Sequence, residues 1–230
     1  MGPVRVRAGS NRRGDVIYAD RADAGRRLAA CLEHLHGADP VVLGLPRGGV
    51  PVALEVALAL EAPLDVIVVR KLGVPYRPEL AMGAIGEGGV RFVDDVLRRR
   101  AGVTADQLDE VERLELGEVA RRAERYRDGR PQVPLVGRTV VVVDDGIATG
   151  STARAACQVV RAQGAARLVL AAPVAPAGCT AEMGPVADEF VCPETPRWMS
   201  TVGQWYEDFS ATPDEYVVEC LAQAANRPAG

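Results

Sequence analysis

Apolar positions recur along this chain with two different periods. Over residues 20–36 they fall at Ala24, Leu28, Cys31, Leu32 and Leu35, the three- and four-residue spacing of one helical face, with acids at the start and Gly37 as a stop. Residues 41–45 form instead a short unbroken apolar run, ended by Pro46-Arg47-Gly48-Gly49 and followed by helical spacing over 50–60. That pattern predicts strand, tight loop, helix. A second unbroken run, 64–69, predicts another buried strand with Arg70 and Lys71 at its C-terminal end. Residues 72–93 are rich in Gly and Pro and predict a hairpin excursion, with short strands at 81–85 and 90–93 joined by Gly-Glu-Gly-Gly. Thr104-Ala105-Asp106 opens a long helix to about Tyr126, whose Glu and Arg spacings suit ion pairs on a solvated, covering face. Further strands are expected at 139–143, 168–172 and 189–192, with a helix over 152–163 between the first two. Strands alternating with helices imply an α/β fold built on a largely parallel sheet covered on both faces.

Composition narrows the class. The 230 residues, 48% hydrophobic and 25% charged, can bury one sizeable core, so residues 16–230 are expected as one domain behind a loose N-terminal extension over 1–15. A net charge of −4 lacks the positive field that non-specific nucleic-acid binding needs, so no nucleic-acid partner is expected. Five scattered cysteines without C-x-x-C spacing predict neither a zinc site nor a disulfide framework, and point to a reducing, cytoplasmic compartment. The longest apolar stretch, 168–179, is broken by Pro173 and Pro176 and falls short of the ~20 residues a bilayer requires. Arg12-Arg13 is not followed by an apolar segment of the kind an export signal carries.

The richest chemistry lies in residues 139–152, TVVVVDDGIATGST, where a buried strand delivers Asp144 and Asp145 and then a glycine-punctuated turn into a helix start. Ligands of open parallel sheets bind beyond the strands' C-terminal ends, which is where this acidic pair is expected. The turn from Gly146 through Ala148, Thr149, Gly150, Ser151 and Thr152 exposes backbone N–H groups and hydroxyls at a helix N-terminus, a cradle for a phosphate dianion. Paired carboxylates beside it suit the vicinal hydroxyls of a ribose, so a sugar phosphate fits both ends. Other phosphate motifs fail: Gly146 and Gly150 have the wrong spacing for a P-loop and no lysine follows, and no G-x-G-x-x-G follows a strand.

Four apolar residues, two acids, a short spacer and Thr-Gly-x-Thr resemble the 5-phosphoribosyl-1-pyrophosphate (PRPP) motif of type I phosphoribosyltransferases. The resemblance implies that Asp144 and Asp145 hold the ribose 2- and 3-hydroxyls and that 148–152 bind the 5-phosphate. The turn Pro46-Arg47-Gly48-Gly49 looks like the family's pyrophosphate loop, in which Arg47 could form a bidentate phosphate contact while Gly48 and Gly49 turn their N–H groups inward. Residues 71–89 resemble its flexible catalytic loop. Arg70 and Lys71 are then candidates to meet departing pyrophosphate, and Arg77, Glu79 and Glu87 are the polar loop residues within reach of the reacting centre, with Glu79 or Glu87 as proton acceptor. The order of motifs over about 16–220 resembles a bacterial group of stand-alone phosphoribosyltransferases, which implies the type I fold with a small hood over about 194–220. It also implies Mg-dependent transfer of the phosphoribosyl group from PRPP to a nitrogen acceptor, no dedicated protein metal site, and the option of a homo-oligomer.

Ala148 departs from 6-oxopurine phosphoribosyltransferases, which carry an aspartate just before the Thr-Gly, so hypoxanthine and guanine are poorer candidates for the acceptor. Trp198, Trp205, Tyr206, Phe209 and Tyr216 crowd one C-terminal segment of a chain only 4% aromatic. They form either a stacking hood over a planar acceptor or a small satellite core. The competing function is a PRPP-sensing regulator without catalysis, against which the retained Arg70, Lys71 and 72–93 segment weigh.

Overall fold

The computed structural model describes residues 18–226. The expectations for residues 1–15, including the Arg12-Arg13 segment, lie outside the described residues. The first helix of the described residues is α1, Arg21–Leu32, capped by Asp20, whose carboxylate accepts the Asp23 N–H. Strand β1 (Pro40–Gly44), helix α2 (Gly49–Leu60) and strand β2 (Leu64–Val66) follow, the first turn of a βαβ unit. A second, antiparallel sheet is then inserted: β3 (Val69–Val74), β4 (Arg77–Gly86) and β5 (Arg91–Val93). Helices α3 (Asp95–Arg100) and α4 (Ala105–Arg127) lead back to β6 (Thr139–Val143). Next come α5 (Ser151–Ala162), β7 (Arg167–Ala171), the short α6 (Cys179–Met183), β8 (Glu189–Val191) and the terminal α7 (Asp214–Ala225).

The main sheet has the order β2-β1-β6-β7-β8, with every pairing parallel. β1, β6 and β7 read as near-continuous apolar runs because both faces are buried, while β2 and β8 each carry one buried acid, Asp65 and Glu189. Side chains alternate between the faces: Val141 and Val143 pack with α1, α2 and α7, whereas Val140 and Val142 pack with Ala156, Val159 and Val160 of α5. The alternation of strands and helices is therefore what it promised to be. The long helix opens where expected, and its start is a capping box, with Thr104 accepting from Gln107 N–H and Gln107 from Thr104 N–H.

Two expectations need correction. The apolar run 64–69 is not one strand: β2 ends at Val66, the chain bends at Ile67 and Val68, and Arg70 and Lys71 begin β3 in the other sheet. Periodicity could not show this, since Ile67 and Val68 are buried in either arrangement. The hairpin expected within 72–93 is present, but it is larger than expected: β4 runs over Arg77–Gly86 instead of 81–85 and pairs with both β3 and β5. It is locked to the fold through Glu87. Arg127, at the end of α4, is buried and donates to Glu87, to Asp65 Oδ1 (2.8 Å) and to the Val66 carbonyl, while Asp65 Oδ2 accepts the Val133 N–H. One buried cation thus ties β2, the inserted sheet and the covering helix together.

Candidate active site

Because the five strands run parallel, the loops leaving their C-terminal ends converge on one edge of the sheet. Asp144 and Asp145 stand there directly after β6, and the Asp144 N–H still pairs with the Ala171 carbonyl (3.2 Å). Asp144 Oδ1 accepts the Asp145 N–H at 3.0 Å. Asp145 Oδ2 accepts from Arg21 Nε at 2.9 Å, in an ion pair whose side chains are only 13% and 14% exposed. Burial raises the proton affinity of both acids. The Asp145 charge adds to the effect on Asp144, whereas Arg21 opposes it on Asp145.

The Pro46–Arg47 loop leans on this pair from β1. Its Pro46–Arg47 peptide bond is cis. A Cβ on Gly48 would lie 1.9 Å from Asp145 Oδ2 and 3.0 Å from Arg21 Nε, and one on Gly49 would lie 2.7 Å from the Val143 carbonyl. Gly48 is therefore required by the approach of the loop to the Asp145 carboxylate and Gly49 by its approach to the backbone at the end of β6, a stronger reason than freedom to turn. Arg47 is half exposed and only 3.9 Å from Asp214, whose carboxylate already serves Arg125 (2.7 Å) and the Tyr126 hydroxyl (3.0 Å).

On the other side of the acids the chain runs through Gly146, Ala148 and Thr149 to Gly150, which caps α5 with φ +70° and no side-chain cap bond. The first-turn N–H groups of α5 are thus left open to an anion. Thr149 Oγ1 lies 3.1 Å from Ser151 Oγ, which also accepts from Lys71 Nζ at 2.8 Å. Lys71 and Thr152 border a cavity of about 580 Å³ together with Pro46, Arg70, Glu115 and Arg122. The turn that suggested a phosphate cradle, the Pro46–Gly49 loop and the basic pair are all brought to one side of the sheet.

Other expected residues are already engaged or lie apart. Arg70 is turned to α4 and donates to Glu115 Oε2 at 2.6 Å. Glu79 and Arg77 are exposed on β4, on a strand and not on a loop. Glu87 is held by Arg127, as described above, and is spent structurally. Of the aromatics, Trp205 is 5% exposed and packs with Tyr18 and Tyr206 in a satellite core, while Trp198 is 82% exposed. Packing thus decides Trp205 in favour of the satellite core. That core includes the N-terminal segment: the Tyr18 N–H donates to the Trp205 carbonyl (3.0 Å) and the Glu207 N–H to that of Tyr18 (2.9 Å).

The residue the sequence did not reveal is Arg21. Its guanidinium lies 4.0 Å from the Phe209 ring centroid, and Nη1 donates to the Ser210 carbonyl at 2.8 Å. The Tyr206 hydroxyl donates to the Asp145 carbonyl at 2.5 Å. The C-terminal aromatics therefore seat the cation that holds Asp145. One faint signal existed: an arginine opening a helix opposes the helix dipole and needs a partner outside it.

A family model described as the phosphoribosyl transferase domain matches residues 15–203. Two curated relatives from Mycobacterium tuberculosis strains CDC 1551 / Oshkosh and ATCC 25618 / H37Rv, named "Putative phosphoribosyl transferase" MT0597 and Rv0571c, are each 57% identical over 208 residues, covering 90% of this chain. The match takes in 47% of each relative, so this chain spans about half their length and the matched region does not stand alone in them. The crystal structure of TT1426 from Thermus thermophilus superposes with a TM-score of 0.83 at 42% identity, covering 90% of this chain and 98% of that one. The chain belongs to the phosphoribosyl transferase family and has its type I fold.

Proposed function

We propose that the protein transfers the 5-phosphoribosyl group of PRPP to a nitrogen acceptor, releasing pyrophosphate. The observation that carries this reading is the convergence at Asp145: the acidic pair lies against Gly48 of the Arg47 loop on one side and the open N-terminus of α5 on the other. A ribose bridging these two features would place its 5-phosphate on the 148–152 turn and its 1-pyrophosphate toward Arg47 and Lys71. In that pose Asp144, together with the Asp145 oxygen not taken by Arg21, accepts the ribose hydroxyls.

In the reaction the bond from C1 to the pyrophosphate oxygen breaks and a bond from C1 to nitrogen forms; the electron pair leaves with pyrophosphate. Positive charge develops on the ribose as it leaves, so the protein's work is to position donor and acceptor and to neutralise the departing group. The proton on the attacking nitrogen must pass to a base. With Glu87 fixed on Arg127, the exposed Glu79 of β4 is the remaining one of the two carboxylates for that role.

Among the described residues no three His, Cys, Asp or Glu side chains gather into a metal cluster. A hard acidic pair with two oxygens already engaged, Asp144 Oδ1 by the Asp145 N–H and Asp145 Oδ2 by Arg21, would suit a magnesium ion held chiefly by the substrate's own oxygens, with Asp144 and Asp145 acting on it only through the ribose hydroxyls. Magnesium, when bound, supplies further neutralisation of the pyrophosphate. No helix among the described residues is long and apolar enough to cross a membrane. The buried thiols of Cys157, Cys192 and Cys220 suit the cytoplasmic setting that we also propose.

Calorimetric titration with PRPP and Mg²⁺ tests the donor, and pyrophosphate release with a panel of nucleobases tests the transfer. Asp145→Asn is expected to weaken PRPP binding while the fold persists; unchanged affinity would count against the assignment. PRPP binding accompanied by salt-sensitive RNA binding and no turnover would favour a regulator instead.

A further inference from the structure

We propose that Arg122, on the covering helix α4, is a binding residue for the pyrophosphate group of the donor. The inference rests on the donor assignment just given and adds a cation from an element that no phosphate motif includes. Residues 111, 115, 118 and 122 share one face of α4 at helical spacing, and Val111, Glu115 and Arg122 line the same cavity as Pro46, Lys71 and Thr152.

The cations of this cavity are not equally available. Arg70 is answered by Glu115 at 2.6 Å. Lys71 rests on a neutral hydroxyl, that of Ser151. Arg122 faces the Glu118 carboxylate only at 4.0 Å, and Glu118 is itself held by Arg121 at 2.8 Å. Arg122 therefore brings an almost uncompensated charge to a side chain that is 44% exposed and borders the cavity. Seven residues separate it from Glu115, about 10 Å along the helix, which carries it toward Arg47. Arg122 and Arg47 both act electrostatically on the Tyr126 hydroxyl.

A loop arginine, a strand lysine and a helix arginine would then face the leaving group from three directions. This suits a polyanion with oxygens on every side, and the guanidinium fork can take two of them at once. Arg122 needs to touch no reacting atom for this role. Its contribution is to the affinity for the donor and to neutralising charge on the departing oxygen.

The test compares three probes, each with Mg²⁺: PRPP, inorganic pyrophosphate and ribose 5-phosphate. Arg122→Ala is expected to weaken PRPP and pyrophosphate about tenfold or more, the scale of a lost charged hydrogen bond, and to leave ribose 5-phosphate unchanged. Arg122→Lys, which keeps the charge, should recover part of the loss. Arg113→Ala, which removes an exposed cation of the same helix paired with Glu110 at 2.7 Å, should alter none of the three. Wild-type-like pyrophosphate binding by Arg122→Ala, or an equal loss for ribose 5-phosphate, would overturn the role. If the wild-type protein binds ribose 5-phosphate but neither PRPP nor pyrophosphate, the donor assignment itself falls and Arg122 with it.

Discussion

Replacing Arg21 by Gln separates the two things that Arg21 does for Asp145. The amide keeps much of the side chain's bulk against Phe209 but removes the charge 2.9 Å from a carboxylate that is largely enclosed. At an effective dielectric of ~20, two unit charges about 4 Å apart attract by about 4 kcal/mol. Breaking a buried pair from one side leaves the other charge uncompensated, at a typical cost of about 3–5 kcal/mol. Asp145 has an escape, because it can take a proton. Arg21 opposes the burial that raises this acid's proton affinity, so the variant's Asp145 should titrate higher still. A carboxyl with a raised folded-state pKa favours the fold at low pH, and that contribution disappears as pH rises through the raised value. The stability lost relative to wild type should therefore be small near pH 5 and grow to about 2–4 kcal/mol near pH 8. Urea unfolding of both proteins at the two pH values, monitored by tryptophan fluorescence, measures the difference. A loss that is the same at both would mean that Arg21 acts through packing on Phe209 and Ser210, and the electrostatic argument would be wrong.

Three further outcomes follow from the same geometry. Asp144 and Asp145 both bind protons more tightly than ordinary carboxylates, and ribose hydroxyls need ionised acceptors; PRPP affinity should thus rise from about pH 6 to about pH 8 with proton release, seen as buffer-dependent heats in calorimetry. Arg127→Met strands the buried carboxylates of Asp65 and Glu87 and should cost about 3–5 kcal/mol in denaturant unfolding, whereas the double variant with Glu87→Gln should recover part of that loss. Trp205→Ala should cost about 3–5 kcal/mol because its ring is core, while Trp198→Ala should leave the melting temperature unchanged; equal melting temperatures for the two variants would refute this division.

What the sequence made legible follows from the range of the interactions involved. Residues 139–152 could be read because their chemistry is local: a strand buried on both faces, two acids and an open helix start lie within fourteen residues, and each leaves its own mark. Arg47 with its glycines was visible for the same reason. The carboxylate pressing on Gly48 follows a strand nearly a hundred residues downstream, so what those glycines are for was not. Glu87 shows the limit most sharply. As a carboxylate in a Gly-rich segment it has the composition of a mobile catalytic residue, yet it is an anchor, because a buried arginine forty residues away requires it. Arg21 is the converse, an unremarkable helix-opening cation made part of the site by a tail about 190 residues later. In both cases the deciding energy is the desolvation of a charge by distant elements, and such a charge stays buried only when those elements also bring its partner. Where a motif's chemistry is complete within one loop, the residues that tune it still come from wherever the fold must answer a buried charge. At this site those answers come from α1 and the C-terminal aromatics, whose sequences carry no phosphate signature at all.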